Sequence, residues 1–344
     1  MKESERGDFL ARFRILSALE RDLMSLPEQA TLALRAMGTR FELVLFGKSE
    51  PYLRATGEEA LAEIARVEAQ LSLYRSDSDL TDLNLRASEE PVPVDPRFFH
   101  VLARARTLWE ETEGAFDPTV GPLMRCWGLV RGGGRVPDEA EIAAARAVVG
   151  MQHVVLDPEH FTVRFDRSGV QLDLGAIGKG YALERAVDIL RDNGVESALL
   201  HGGTSSVYAL GAPPEQPAWK VAIRDPLSEA SEPLACVALR DAALSVSAPH
   251  GKWFENEGQR YGHVIDPRTG YPARGCLLTA LVTESPTDGD ALSTALLVQG
   301  EAYLDTLMRR RPECRALLVI EEGVKERRVI SRGIPLGQEE VLFV

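Results

Sequence analysis

Residues 170–186 read VQLDLGAIGKGYALERA, and they carry the clearest change of local structure in the chain. The pattern predicts a strand that ends at Asp173, a glycine-rich turn, and a helix that begins at about Lys179 and stops at Gly194. The apolar residues of that helix share one face: Leu183, Ala186, Val187 and Leu190. Glycines let a backbone approach a ligand closely, and the free amides of a helix start suit an anion.

This turn does not match the common phosphate-binding motifs. A Walker A loop would need glycine in place of Asp173 and Ser or Thr in place of Gly180. A dinucleotide fingerprint through Gly178 and Gly180 would need Gly or Ala in place of Leu183. The residues alone therefore leave two interpretations open, a phosphate site or a tight connection between a strand and a helix.

The segments on either side favour an α+β fold. Residues 31–47 alternate apolar and polar around Gly38, which indicates two strands or one bent strand. Helices are predicted around 61–71, at 98–113, at 138–148, after Lys179 and from about Thr287, and strands at 153–173, at 197–284 and after Arg315. Because helices and strands come partly in blocks, the pattern is not that of a regular βαβ array.

The composition excludes several classes of protein. With 344 residues, 44% hydrophobic and 26% charged, the chain has the balance of a globular protein, not of a disordered, collagen-like or polytopic membrane protein. The net charge of −13 repels phosphate backbones and anionic lipids, so we expect neither nucleic acid nor membrane insertion. The four cysteines stand singly, which predicts reduced and mostly buried thiols.

Residues 1–30 are predicted to form an N-terminal helical extension, and residues 31–344 a single domain. The extension is amphipathic up to about Pro27, with apolar residues at helical spacing: Phe9, Phe13, Leu16, Leu19 and Leu23. It carries charges throughout and has neither the apolar core of a signal peptide nor a cysteine for a lipid anchor. We therefore expect a cytoplasmic protein.

Residues 286–300, PTDGDALSTALLVQG, contain a candidate metal site. Asp290 and Thr294 are four residues apart at the start of a helix, so their side chains share one face. A carboxylate and a hydroxyl are hard oxygen donors, which suit Mg²⁺ better than Zn²⁺. The alternative is capping of the helix by Thr287 or Asp288 and a threonine bonded back to its own helix.

Two further segments combine polar residues with turn signals. In residues 261–273, YGHVIDPRTGYPA, we expect His263 in a short apolar strand before a turn, with either a structural or a catalytic role. In residues 114–129, GAFDPTVGPLMRCWGL, Asp117 and Pro118 are predicted to open a helix that carries the core residue Trp127.

In this order along the chain, these segments resemble the ApbE family of flavin transferases. The likeness runs through Met37-Gly38-Thr39, residues 72–84, Ala115-Phe116-Asp117-Pro118, residues 173–182, His201-Gly202-Gly203, residues 263–270 and Asp290-Ala291-Leu292-Ser293-Thr294. Each motif is weak, but seven in the expected order across residues 31–300 are specific. The resemblance implies an α+β fold with mixed, largely antiparallel sheets flanked by helices, and a flavin transferase domain at 31–344.

The resemblance also implies a reaction. A Mg²⁺-dependent transferase would cleave the pyrophosphate of FAD, link FMN through a phosphoester to a Ser or Thr hydroxyl of an acceptor flavoprotein, and release AMP. Mg²⁺ would be held by the Ala176 carbonyl, the Asp290 carboxylate and the Thr294 hydroxyl. Asp290 and His263 would be catalytic, with His263 or a carboxylate near the metal taking the hydroxyl proton.

The flavin is expected to bind at the positions that match the binding site of the family. These are Met37, Tyr74, Ala115, Phe116, Asp117, Asp173, Lys179 and Val264. A tyrosine can stack on a flat ring, a carboxylate can accept hydrogen bonds from ribose or adenine, and a lysine can neutralise phosphate.

Four positions depart from the usual pattern of the family. Glu184 stands where Asp is common, His201 and Thr204 stand where Asn and Asp often flank the glycine pair, and Ala248 replaces a frequent glycine. Two other functions would use the same site, hydrolysis of FAD to FMN and AMP, and FAD binding without catalysis. The retained metal ligands argue against the second, because flavin storage needs no metal.

Overall fold

The computed structural model describes residues 27–47, 49–130, 132–228, 233–249, 253–323 and 326–337. The N-terminal helix expected around residues 9–23 lies outside them. The helices are α1 (Glu50–Leu71), α2 (Asp79–Arg86), α3 (Pro96–Glu111), α4 (Gly121–Cys126), α5 (Glu139–Arg146), α6 (Gly178–Asp192), α7 (Pro286–Gln299) and α8 (Glu301–Arg310). None of these described helices is long and apolar enough to cross a bilayer.

The strands come partly in blocks along the chain. They are β1 (Glu28–Ala36), β2 (Thr39–Gly47), β3 (Val92–Pro93), β4 (Val154–Asp157), β5 (Thr162–Phe165), β6 (Ser197–Gly202), β7 (Ser206–Leu210), β8 (Trp219–Arg224), β9 (Pro233–Leu239), β10 (Ala242–Ser247), β11 (Trp253–Asn256), β12 (Gln259–Gly262), β13 (Ile265–Asp266), β14 (Tyr271–Pro272), β15 (Cys276–Thr283), β16 (Arg315–Gly323) and β17 (Glu326–Arg332).

Eight strands form a central sheet in the order β1-β2-β6-β7-β10-β15-β16-β17, and each neighbouring pair is antiparallel. The expected α+β fold with largely antiparallel sheets is therefore confirmed. Of the two alternatives for residues 31–47, two strands or one bent strand, the structure shows two, since β1 and β2 form a hairpin. Its turn has Met37 and Gly38 at φ +51° and +71°, the pair of positive values that two-residue hairpin turns favour.

Both faces of the central sheet are buried. Along β7, Tyr208 and Leu210 join the apolar core under α1, α6 and α7, while Val207 and Ala209 join a second core under the β8–β9 ribbon. This alternation follows from the two-residue period of a strand. The predicted apolar face of α6 lies in the first core, and α7 is buried on nearly all sides. The helices that carry the candidate residues therefore rest on a rigid support.

Three local predictions are wrong. No strand ends at Asp173, because β5 already ends at Phe165 and the backbone of Leu172 bonds the side chain of Asn84 instead of a neighbouring strand.

The other two predictions concern His263 and Asp117. His263 lies between β12 and β13 and not within a strand, because β12 pairs with β11 and β13 pairs with β14, so the chain changes partner at this point. Asp117 does not open a helix, because α4 begins at Gly121 with a proline in its first turn. The Asp117 carboxylate instead accepts the backbone N–H of Thr119 within its own turn.

Packing of the first core can be tested at Leu43 on β2, a residue that is fully buried. Leu43→Ala removes apolar contacts and leaves a cavity, so we expect it to lower the free energy of unfolding by about 2–5 kcal/mol. Leu85→Ala is the matched control, because the Leu85 side chain is 72% exposed. Urea unfolding followed by circular dichroism measures both, and equal losses would contradict the assignment of the core.

Candidate active site

The starts of α6 and α7 meet at Gly180. Its backbone N–H donates to the Asp290 carboxylate at 3.0 Å, and a Cβ placed on Gly180 would lie 2.0 Å from the Pro286 carbonyl oxygen. No side chain fits at such a distance, so glycine is required here. Asp290 is only 4% exposed, and this backbone hydrogen bond helps to offset the cost of burying its charge.

The Lys179 ammonium lies beside the same carboxylate. Its Nζ is 3.7 Å from Asp290 Oδ1 and 3.5 Å from the carbonyl oxygen of Gly175, which belongs to the glycine-rich turn. A cation is thus already placed between a backbone carbonyl and a buried carboxylate. The structure brings together the turn, the lysine and the aspartate that the sequence singles out.

Hydroxyl groups line α7 one turn further along. Thr294 donates to the backbone carbonyl of Asp290 at 3.0 Å, and its Oγ1 lies 3.2 Å from Ser247 Oγ at the end of β10. Ser247 also lies 2.9 Å from Ser293 Oγ. The sequence reasoning missed Ser247, because it lies 47 residues from Thr294 and no local pattern marks it.

The donor chemistry of this cluster fits Mg²⁺. The described residues contain no group of three or more His, Cys, Asp or Glu side chains that could hold a metal. The site offers one buried carboxylate, Asp290, with the hydroxyl of Thr294 and the carbonyls of the turn that contains Gly175 and Ala176. Mg²⁺ accepts such a sparse set of oxygen donors, because it keeps several of its waters.

Asp173 ties a second group of candidate residues to the glycine-rich turn. Its carboxylate accepts the N–H of Gly175 at 2.8 Å, and its own N–H donates to the Pro118 carbonyl at 2.6 Å. Partial burial raises the pKa of the Tyr74 hydroxyl, and the nearby Asp173 carboxylate raises it further. Tyr74 is 58% exposed.

The Asp117 carboxylate is buried and already engaged. Its Oδ1 accepts the N–H and the hydroxyl of Thr119 at 2.8 and 2.5 Å, and Thr119 in turn accepts the N–H of Gly150 at 2.6 Å. Burial raises the pKa of Asp117 to about 6, against the opposing effect of these hydrogen bonds. Ala115 and Phe116 are each 2% exposed, so this segment forms a packed wall.

Met37 lies in the β1–β2 turn. Its backbone N–H donates to Glu68 of α1 at 2.5 Å, a contact that holds the left-handed conformation of the turn. The start of β2 contacts the Gly202-Gly203 pair. A Cβ placed on Gly203 would lie 2.3 Å from Thr39 Oγ1. The turns that contain Met37 and Gly203 therefore lie side by side at one end of the sheet.

His263 and Val264 are half-buried between β12 and β13. The Val264 carbonyl accepts the N–H of Ala273 at 2.9 Å. Gly262 packs on Pro249, where a Cβ would lie 2.9 Å from the proline ring. Pro249 closely follows β10. This contact therefore connects the segment that contains His263 to β10, whose last residue, Ser247, bonds hydroxyls of α7.

The departures from the family pattern have local explanations. Burial lowers the pKa of His201, whose Nδ1 lies 3.2 Å from the Gly203 carbonyl and whose Nε2 lies 3.6 Å from the Glu42 carboxylate. Thr204 is exposed in the turn before β7. The Ala248 methyl packs against the second apolar core, which a glycine would not do.

A groove of about 720 Å³ lies elsewhere, at the opposite end of β6 and β7 from the glycine pair. Two of its charged side chains already have partners within the fold. Arg191 donates to the hydroxyl of Tyr208, and Asp241 accepts the N–H of Gly211. We therefore place the candidate site at the meeting of α6 and α7 and not in this groove.

Comparison with known proteins identifies the family of the chain. The model of the ApbE family matches residues 37–318. The chain belongs to the ApbE family. Its relatives include a FAD:protein FMN transferase of Treponema pallidum, which is 34% identical over 285 residues and 78% of each chain. A FAD:protein FMN transferase of Klebsiella pneumoniae is 32% identical over 81% of this chain and 88% of its own length.

Solved structures of ApbE proteins share the fold. The ApbE protein of Thermotoga maritima has a TM-score of 0.79 and 30% identity, over 89% of this chain and 97% of its own. The flavinyl transferase ApbE of Pseudomonas stutzeri, in its apo form, has a TM-score of 0.79 and 29% identity, over 91% of this chain and 97% of its own. The expected family and fold are therefore confirmed, and the expected class of enzyme agrees with the names of these relatives.

The raised pKa of Asp117 predicts a pH-dependent stability. Because the folded protein takes up a proton at Asp117 more readily than the unfolded chain, this residue destabilises the fold as the pH rises from about 4 to about 6. Asp117→Asn keeps the acceptor for Thr119 but does not titrate. We expect the variant to gain up to about 3 kcal/mol over the wild type between pH 4 and pH 7.

Urea unfolding at a series of pH values measures this difference. Asp305→Asn is the control, because Asp305 lies on the exposed side of α8. If the free energies of unfolding of the wild type and of Asp117→Asn change in parallel with pH, the Asp117 carboxyl is not held in a desolvated site.

Proposed function

We propose that this member of the ApbE family is a Mg²⁺-dependent FAD:protein FMN transferase. The observation that carries the proposal is the cluster of Lys179, Asp290 and Thr294 where α6 and α7 meet. A buried carboxylate, a cation and hydroxyl oxygens suit a pyrophosphate and a hard metal ion. The names of the relatives support the same activity.

The pyrophosphate of FAD would bind at the glycine-rich turn and the start of α6. The positive end of the α6 helix dipole favours an anion at this place. Lys179 would neutralise phosphate charge there. The ring of Tyr74, a residue that is 58% exposed, would stack on a flat part of the flavin nucleotide.

Asp290, Thr294 and the Ala176 carbonyl would hold the metal. When bound, Mg²⁺ supplies Lewis-acid polarisation of the phosphate oxygens. Asp290 contributes the formal negative charge, while Gly180 fixes that carboxylate through its backbone N–H. The hydroxyl of Ser247, beside Thr294, would keep the threonine in place.

The proposed transfer is a substitution at phosphorus, in which one P–O bond forms and another breaks. The oxygen of a Ser or Thr hydroxyl on the acceptor flavoprotein bonds to the phosphorus of the FMN half of FAD. The bond from that phosphorus to the oxygen of AMP breaks, and AMP leaves. The proton of the attacking hydroxyl passes to His263 or to a carboxylate near the metal. Positioning and charge neutralisation account for most of such a catalytic effect.

One assay separates the proposed activity from its alternatives. The protein is mixed with FAD and Mg²⁺, with and without an acceptor flavoprotein, and AMP and covalent flavin fluorescence are followed. Acceptor-dependent AMP and a fluorescent acceptor on a denaturing gel support transfer. AMP without an acceptor indicates hydrolysis, and no AMP indicates binding alone. The cytoplasmic location stays a prediction, which fractionation of native cells tests.

The proposed pyrophosphate site predicts selective binding of FAD over riboflavin, which has no phosphate to engage Lys179. We expect Lys179→Ala to weaken FAD binding by roughly 1–3 kcal/mol, the usual loss of a charge-assisted contact. Lys220→Ala is the control, because Lys220 lies on β8 across the sheet. Fluorescence quenching measures the dissociation constants. Equal affinities for the two flavins would contradict a phosphate site.

The proposed metal site predicts that Asp290→Asn removes activity while keeping the fold. The variant retains one oxygen for Gly180 but loses the charge, so we expect activity to fall at least about a hundredfold, or about 2.7 kcal/mol. Thr294→Val should lose less, because a water can replace a neutral hydroxyl. If Asp290→Asn unfolds at a much lower temperature and its folded fraction stays active, Asp290 is structural.

A further inference from the structure

Glu184 of α6 reaches across to the start of α7. Its Oε2 accepts the hydroxyl of Ser285 at 2.8 Å and the backbone N–H of Thr287 at 3.3 Å, and it also accepts the Thr287 hydroxyl. One carboxylate oxygen therefore receives three hydrogen bonds from the first residues of α7. This is the residue that stands where the family commonly has Asp.

These contacts cap α7 from a neighbouring helix. The first N–H groups of a helix have no acceptor within it, and a negative charge at that end is favourable. The Ser285 hydroxyl accepts the N–H of Asp288 at 3.2 Å, and Glu184 accepts the N–H of Thr287. The cap of α7 is thus shared between its own N-terminal serine and a side chain of α6.

The same face of α6 makes both connections to α7. Gly180 and Glu184 are four residues apart, so they lie one above the other on the helix surface. Gly180 donates its N–H to Asp290, and its lack of a side chain lets Pro286 approach. Glu184 holds the turn of α7 that precedes Asp290.

We propose that Glu184 is a positioning residue for flavin transfer: it fixes the start of α7 on α6 and so sets Asp290 against Lys179. This inference rests on the proposed function, because it concerns the same site. A displacement of about 1 Å in a reacting group can cost about a hundredfold in rate, so the anchoring of α7 bears directly on turnover.

A second anchor lets the role of Glu184 be separated from overall folding. Asp288 accepts a hydrogen bond from Arg104 Nε at 2.7 Å and lies 3.3 Å from Arg311 Nη1. These ion pairs hold α7 to α3 and to the segment after α8. Without Glu184, the ion pairs of Asp288 still hold α7 in the core. Asp290, however, is no longer held at its position against Gly180 of α6.

The test compares Glu184→Ala with Glu184→Gln and with the control Asp188→Asn. Asp188 lies one turn further along α6 and pairs with Arg185. The readout besides activity is hydrogen exchange of the Gly180 amide, followed by NMR. As the third residue of α6, Gly180 has no acceptor within its helix, so its protection reports the bond to Asp290.

We expect Glu184→Ala to raise the Gly180 exchange rate and to lower kcat for FMN transfer, each by about tenfold or more, with KM for FAD changed less than about threefold. Glu184→Gln keeps the size and one acceptor oxygen, so it should restore most of both values. Asp188→Asn should match the wild type. If Glu184→Ala does not fold, Glu184→Gln is compared with the wild type instead. We then expect smaller changes of the Gly180 exchange rate and of kcat in the same directions.

The inference is overturned if the Gly180 amide stays protected in folded Glu184→Ala, or if its protection falls while kcat stays at the wild-type value. A kcat that falls with unchanged protection also overturns it, because Glu184 would then act by another route. A wild type that transfers no flavin refutes the proposed function instead. Loss of Gly180 protection in Glu184→Ala would still support the connection between Glu184 and Asp290.

Discussion

The candidate site depends on how closely the backbone of α6 approaches α7. The two helices touch at Gly180, where even a methyl group would lie 2.0 Å from a carbonyl oxygen of the neighbouring helix. This approach lets a backbone amide reach the Asp290 carboxylate and leaves Lys179 beside it. A larger residue would separate the helices and thereby the lysine from its carboxylate.

The sheet makes this arrangement rigid. Because the β8–β9 ribbon covers the face opposite α1, α6 and α7, the central strands are packed on both sides and cannot shift without disturbing two cores. The strand β10 then connects the sheet to the site through Ser247, which touches the hydroxyls of α7. Charged and polar groups are thus held in a buried place where their interactions are strong.

Local patterns in the sequence predict the elements better than their contacts. Periodicity located α1 and α6, and Gly38 marked the hairpin, because these features depend on neighbours in the chain. His263 and Asp117 were misplaced, since changes of strand partner and competing turn bonds are not visible in a hydrophobic pattern. The contacts of Ser247 and Glu184 join residues 46 to 103 positions apart, so only the folded chain brings them together.

The order of strands in the central sheet has a consequence for synthesis of the chain. Besides β1, β2 pairs with β6, which begins about 150 residues after β2 ends. At roughly 5–20 residues per second, a ribosome needs about 8 to 30 seconds to complete that interval. During this time the nascent β1–β2 hairpin has an open edge, and α1, made directly after it, is the element that covers its apolar face. The helix can therefore bury the apolar face of the hairpin before β6 is available to pair with its edge.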